Sequence, residues 1–126
     1  MSKTLTEIAE LLKKMLSAAT GPEGTGSGAV PKGYTVCGKT GTAQIITSRG
    51  DYLGNDYYSV FLGFSPIERP RLAVLVAIEA PRGKYYGGEV AAPVFKEIVR
   101  ESFNYLNIPP SQNRSDFLKA KDAKPA

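Results

Sequence analysis

The sequence predicts an α+β fold, a three-stranded antiparallel meander with an N-terminal and a C-terminal helix packed on it. Three observations lead there. Apolar residues recur at helical spacing near both ends, over residues 8–19 and 94–106. Between them lie three strand-like runs. The connections between those runs are short and rich in turn residues, as a meander requires.

Thr4-x-x-Glu7 reads as a capping box that opens the first helix. Ile8, Leu11, Leu12, Met15, Leu16 and Ala19 then share one face, and Gly21-Pro22 stops the element. Residues 21–33 carry glycines at 21, 24, 26, 28 and 33 and no apolar periodicity, so they form a surface loop that wraps or lines a cleft. The first strand is expected over Tyr34–Thr47, with glycines around Lys39. Arg49-Gly50-Asp51 and Gly54-Asn55-Asp56 supply turn chemistry. Tyr57–Phe64 is the second strand, and Pro66 and Pro70 bracket the next turn. Leu72–Ile78 is a continuous aliphatic run, which predicts a third strand covered on both faces. After a glycine-rich loop over 81–88, a second helix is expected over Ala91–Leu106. Val94, Phe95, Ile98, Val99, Ser102 and Tyr105 or Leu106 face inward, and Pro93 sits in the first turn. Pro109-Pro110 ends it, so residues 1–110 form one unit and 111–126 a disordered basic tail.

At 126 residues, 42% hydrophobic and 22% charged, the composition is that of one soluble globular domain. The apolar run 72–78 is too short to cross a bilayer, and the charged amphipathic N-terminus is no signal peptide. A net charge of +4 raises the question of nucleic acid. Part of the excess sits in the tail, at Arg114, Lys119, Lys121 and Lys124, and no nucleic-acid-binding motif accompanies it. With no histidine and the single cysteine Cys37, a metal site is not expected, and Cys37 reads as a small buried apolar residue.

Gly38-Lys39-Thr40-Gly41-Thr42-Ala43-Gln44 is the stretch that carries chemistry. It sets an ammonium and a hydroxyl side by side on a strand whose glycines let another backbone lie close. Residues 33–40 also fit the phosphate-binding pattern G-x-x-x-x-G-K-[ST]. The context refuses an ATPase. A phosphate loop needs a strand before its first glycine and a helix after the Lys-Thr. Here glycine-rich coil precedes Gly33, and β-branched Ile45, Ile46 and Thr47 follow.

Lys-Thr-Gly is the third motif of serine β-lactamases and penicillin-binding proteins. Residues 4 to 110 resemble the C-terminal part of the transpeptidase domain of class B penicillin-binding proteins. The resemblance is carried by Gly24-Thr25-Gly26, Gly33-Tyr34 leading into the 38–44 stretch, Phe61-Leu62-Gly63-Phe64 with Pro66, Tyr85-Tyr86-Gly87-Gly88, Ala91-Ala92-Pro93-Val94-Phe95 and Ile108-Pro109-Pro110. Cys37 stands where the family often has alanine. The first two motifs, Ser-x-x-Lys and Ser-x-Asn, belong upstream, and neither appears in the chain as a plausible site.

The resemblance implies a partial serine β-lactamase/transpeptidase-like fold and a D,D-transpeptidase parent that cross-links peptidoglycan stem peptides. A serine supplied from elsewhere attacks the penultimate D-alanine carbonyl, expels the last D-alanine and passes the acyl group to an amine; β-lactams trap that serine. Lys39 is then the catalytic cleft lysine, and Thr40 offers its hydroxyl to the terminal carboxylate. Gly41 leaves room for substrate along the strand. Thr42 gives its backbone N–H to the oxyanion hole, so its side chain should matter less than its backbone. Tyr85 and Tyr86 line the pocket. No metal or organic cofactor is implied. The implied partners are stem peptide, β-lactams and the N-terminal part of the same domain, on the extracytoplasmic face of the bacterial membrane. The chain alone should be inactive and should expose an apolar edge at its third strand, filled by a partner or by dimerisation. The competing class is a non-catalytic module that binds peptide or protein.

Overall fold

The computed structural model describes residues 3–110. The element order is α1 (Lys3–Ala19), a single 3₁₀ turn (Ser27–Ala29), β1 (Cys37–Ile46), β2 (Tyr52–Ser65), β3 (Leu72–Glu79) and α2 (Gly87–Tyr105). The strands form one antiparallel sheet in the order β1-β2-β3. The expected tail, 111–126, lies outside the described residues.

Strand pairing divides the sheet into two unlike faces. Thr40 pairs with Phe61, and Phe61 with Val76, so these three share a face. Phe61 and Val76 are buried there beneath Ala91, Ala92, Phe95, Val99 and Phe103 of α2. Phe61 and Phe95 meet in a tilted pair with centroids 4.7 Å apart. Gly38 pairs with Gly63, and that slot is why the pair fits. A Cβ on Gly38 would lie 2.7 Å from the Phe61 ring, and one on Gly63 would lie 2.9 Å from it. Fully burying each of these rings is worth about 1.5–3 kcal/mol, so α2 is held mainly by this face.

Among the described residues the other face is largely open, with α1 meeting it only at the start of β1. Lys39, Leu62 and Leu75 form a cross-strand row on it, and Leu62 and Leu75 are 56% and 63% exposed. β3 therefore alternates between covered and open positions, with Val76 buried between exposed Leu75 and Ala77, and is not covered on both faces as its aliphatic run suggests. A run of seven apolar residues records two buried faces, and the described residues supply cover for one.

The first helix forms as its spacing predicts, but its apolar stripe is not used. Leu5, Ile8, Leu11, Leu12 and Met15 are all exposed. Contact with the sheet comes from the helix's second half, where the Cys37 thiol donates to the Lys13 carbonyl at 3.1 Å. Thr20 Oγ1 donates to the Val36 carbonyl at 2.6 Å. Cys37 alternates with Thr40's face, so α1 and α2 touch opposite faces of the sheet. Gly26 N–H donates to the last helical carbonyl, Ala19, at 2.9 Å. Gly24 packs so closely there that a Cβ would fall 2.1 Å from the Ala19 oxygen.

α2 corrects the sequence reading twice. It begins at Gly87 rather than Ala91, so Pro93 lies inside the helix and not in its first turn. Its buried line runs through Ala91, Phe95, Val99 and Phe103 at four-residue steps, while Val94, Ile98 and Tyr105 point outward. Phe103, absent from the expected inward set, stacks tilted on Tyr34 at 4.8 Å. The strand bounds also shift: 34–36 is coil rather than strand, and β2 starts at Tyr52.

Candidate active site

The Lys-Thr-Gly segment lies on β1, which has no strand beyond it among the described residues. No helix follows the Lys-Thr pair, so the phosphate-loop pattern has no structural counterpart. Lys39 starts on the open face and its ammonium turns back to Thr40. Nζ donates to the Thr40 carbonyl at 3.2 Å and to Thr40 Oγ1 at 3.1 Å. Thr40 Oγ1 is in turn 3.1 Å from Thr25 Oγ1. A hydroxyl has one proton and two lone pairs. When Thr25 donates to Thr40, both lone pairs of Thr40 are taken and its proton is left to reach an anion in front of the strand.

The loop that brings Thr25 here is fixed from both sides. Its glycines close over the end of α1, as described, and Thr25's carbonyl sits against the start of α2. A Cβ on Gly88 would be 2.1 Å from the Thr25 oxygen and 3.6 Å from Thr40 Cγ2. Thr25, Thr40 and Gly88 thus form one three-way contact.

Thr42 is engaged through its side chain. Its Oγ1 accepts the Gly87 amide at 3.1 Å. Gly87 is the first residue of α2, and the N-cap residue Tyr86 makes no side-chain cap. The amide that a helix leaves orphaned is satisfied here from a neighbouring strand. A Cβ on Gly87 would lie 2.4 Å from the Val60 oxygen and 2.7 Å from the Gly41 oxygen, so α2 rests directly on the backbone of β1 and β2. This seats the helix start behind Gly41 and Thr42.

Thr25, Ser27, Thr40, Thr42, Tyr86, Gly87, Gly88 and Glu89 enclose a cleft of about 420 Å³. Four hydroxyl-bearing side chains from the loop and β1 converge on it, with Tyr86 as the aromatic wall. Lys39 reaches its rim through Thr40. Tyr85 points elsewhere. It stacks on Tyr57 at 4.1 Å and 10°, and its carbonyl accepts the buried Ser59 hydroxyl. The Tyr85 and Tyr86 hydroxyls are 3.4 Å apart, and chiefly that contact pushes Tyr85 up to about 12. Tyr58 is also raised, by its bond to the Glu79 carboxylate.

The structure therefore brings Thr40, Thr42 and Tyr86 to one cleft, places Lys39 at its edge and Gly41 between the two threonines. It sets Tyr85 on the far side of Tyr86. Sequence reasoning did not assign Thr25 or Ser59 a role, and it read Gly87 as shaping a loop where the structure starts α2. The signal for Thr25 was its place between two glycines, and for Ser59 a small hydroxyl ahead of the apolar run Val60-Phe61-Leu62.

Comparison with known proteins gives one consistent result. The family model described as penicillin binding protein transpeptidase domain matches residues 3–100. The chain is 41% identical over 105 residues to the peptidoglycan D,D-transpeptidase FtsI of Buchnera aphidicola, covering 82% of this chain and 18% of that protein. It is 45% identical over 93 residues to the stage V sporulation protein D of Bacillus subtilis, covering 73% and 14%. Among solved structures, the apo transpeptidase domain of Burkholderia pseudomallei penicillin-binding protein 3 superposes with a TM-score of 0.70 at 38% identity, over 80% of this chain and 30% of that one. Penicillin-binding protein 3 of Mycobacterium tuberculosis, solved with ampicillin, gives 0.67 at 29% identity, over 82% and 25%. The chain thus spans less than a third of the length of these relatives.

Proposed function

The chain belongs to the penicillin-binding protein transpeptidase family, and from that premise we propose that it supplies the Lys-Thr-Gly wall of a D,D-transpeptidase active site. The observation that carries this is the Lys39–Thr40–Thr42 series on an outer strand, facing a hydroxyl-lined cleft and backed by the start of α2. In this role Thr40 and Lys39 receive the terminal carboxylate of a D-alanyl-D-alanine stem or of a β-lactam. The Thr42 N–H is one oxyanion donor. Loss of one such donor costs on the order of a hundredfold or more in rate. The serine nucleophile and its partner lysine come from the N-terminal part of the domain.

The open face supports that division. Leu62 and Leu75 on the sheet, with Leu11, Leu12 and Met15 on α1, form an apolar surface of the kind a folded domain covers. The serine-bearing part of the domain is its proposed cover, and the outer edge of β3 its proposed pairing site. No helix among the described residues is long and apolar enough to cross a membrane. Placement on the extracytoplasmic face belongs to the parent protein in this reading.

Labelling with a fluorescent penicillin tests it. Residues 3–110 joined to the serine-bearing part of the domain should label covalently, and residues 3–110 alone should not. Covalent labelling of the isolated chain would remove the proposed division of the site.

A further inference from the structure

Tyr86, the aromatic wall of the hydroxyl-lined cleft, is 57% exposed, so burial does little to fix where its ring stands. The backbone on either side of it does more. Each Cα joins two planar peptide units, and φ and ψ are the only soft rotations between them. When both units are held, the direction in which the side chain leaves the chain is held too. The unit after Tyr86 is tied at both ends. Its N–H, that of Gly87, donates to Thr42 Oγ1 at 3.1 Å, and its carbonyl accepts the Glu89 and Val90 amides at 2.9 and 3.0 Å. The unit before Tyr86 is tied at its carbonyl, that of Tyr85, which accepts the Ser59 hydroxyl.

The two hydroxyls are a matched pair. Ser59 on β2 lies directly opposite Thr42 on β1, so both side chains leave the same face of the sheet. Cross-strand partners stand about 5 Å apart at Cβ. That spacing suits neighbouring peptide units, which repeat about every 3.8 Å along a chain. Ser59 is fully buried, with Ile78 of β3 opposite it on the other side. A buried hydroxyl requires a hydrogen-bond partner, and the Tyr85 carbonyl is the one it has. Tyr57, two residues before Ser59, adds a second support from β2. Its ring stacks on Tyr85 at 4.1 Å, and Tyr85 meets the Tyr86 ring at 4.6 Å. Tyr86 is held extended between these ties, at φ −70° and ψ 134°.

We infer that Ser59 is a positioning residue for the candidate site: with Thr42 it clamps the two peptide units around Tyr86 and so makes that ring a fixed wall of the cleft. The inference rests on the transpeptidase reading for what the cleft receives. Ser59 is buried behind the wall and acts through Tyr86. A ligand with its carboxylate at Thr40 and its reactive carbonyl at Thr42 meets this ring only through a group that extends beyond the reacting centre. A wall already in place loses little freedom when that group arrives, whereas a mobile one must be ordered at the expense of affinity. Ser59→Ala leaves the Tyr85 carbonyl without its partner and frees the unit before Tyr86. Ligands that reach the ring are then disfavoured, and ligands that stop short of it are not.

The test uses the complete domain and two probes: a penicillin with a phenylacetyl side chain, and the penicillin nucleus with a free amine in its place. Second-order acylation rates of the unaltered domain are measured first with both. Ser59→Ala should lower the rate with the phenylacetyl penicillin about tenfold and hardly change that with the nucleus. Tyr86→Ala should lower the phenylacetyl rate at least as far. Adding Ser59→Ala to Tyr86→Ala should cause no further fall, because the wall that Ser59 positions is gone. A Ser59→Ala domain that keeps its phenylacetyl rate overturns the clamp. So does one slowed equally with both probes, or slowed again in the Tyr86→Ala background, since the hydroxyl then serves the fold at large. Each of these outcomes leaves the transpeptidase reading intact. Absence of acylation in the unaltered domain takes down both.

Discussion

The Gly87 amide donates to Thr42 Oγ1 at 3.1 Å, so the strand residue proposed to carry an oxyanion donor also caps the helix behind it. Side chain and backbone of Thr42 then have separate roles in this account: the hydroxyl fixes the start of α2, and the N–H is the proposed oxyanion donor. Thr42→Val removes the cap and should lower stability by about 1 kcal/mol, and Thr42→Ser should restore it. Denaturant unfolding of residues 3–110 reads this directly. Equal stability for all three proteins would mean the hydrogen bond contributes nothing.

Gly87 tolerates no side chain. With a Cβ 2.4 Å from the Val60 oxygen, Gly87→Ala must push α2 off the sheet. A loss of about 1–3 kcal/mol is expected from such overpacking, against at most about 0.5 kcal/mol for Gly83→Ala's change of packing, where a Cβ meets nothing within 4 Å. Gly83 has φ +80, so its alanine variant carries a backbone penalty of its own. The comparison is therefore made on the sheet: amide exchange at Val60 and Gly41 should quicken in the Gly87 variant alone.

Thr25→Val keeps the shape of an exposed loop residue and removes the hydroxyl that lies 3.1 Å from Thr40 Oγ1. Stability should stay within about 0.5 kcal/mol. Acylation of the complete domain by a carboxylate-bearing β-lactam should fall about tenfold, the equivalent of one hydrogen bond. An unchanged acylation rate would show that Thr40 needs no help in directing its proton.

The hydrogen bond with Tyr86, and after it the charge of that neighbouring hydroxyl, pushes Tyr85 up to about 12. A raised folded pKa contributes stability that is complete below the ordinary tyrosine value of about 10 and is lost as the pH climbs through the folded value. The Tyr85–Tyr86 contact therefore has no pH dependence near neutrality and opens between about 10 and 12. In an ultraviolet titration of residues 3–110, Tyr86→Phe should move the last tyrosine to ionise back toward 10; a curve that does not move would rule out that contact as the cause.

The apolar stripe of α1 should govern association of the isolated chain. Leu11 is 60% and Met15 is 63% exposed, so replacing both with glutamate removes apolar surface without opening a core. Sedimentation should show self-association of residues 3–110 and its loss in the double variant. A wild-type chain that stays monomeric at high concentration would contradict the unmet-face account.

Local signals made the element order readable. Helical spacing marked both helices, and the turn residues around Gly50 marked the hairpin, whereas Gly54-Asn55-Asp56, expected as a turn, lie inside β2. The burial of those elements was less legible, for one physical reason. Ile8, Leu11, Met15, Leu62 and Leu75 are patterned for burial, so apolar spacing predicted cover that the described residues do not provide. The start of α2 was hidden because its cap comes from Thr42, 45 residues away, and no local pattern records a cap supplied from another element. Lys39, Thr40 and Thr42 were legible because they fall within four successive positions of one strand. Thr25 and Ser59 act across the fold, through Thr40 and the Tyr85 carbonyl, and spacing does not show such pairs.

The central claim, that Lys39 and its neighbours form the wall of a β-lactam-sensitive transpeptidase site, is tested most directly by one rate. Residues 3–110 joined to the serine-bearing part of the domain are mixed with a β-lactam, and the second-order acylation rate is compared for the unaltered protein and Lys39→Ala. The account predicts covalent acylation that falls on the order of a hundredfold or more in the variant. An unchanged rate in Lys39→Ala, or no acylation of the joined protein at all, would contradict it.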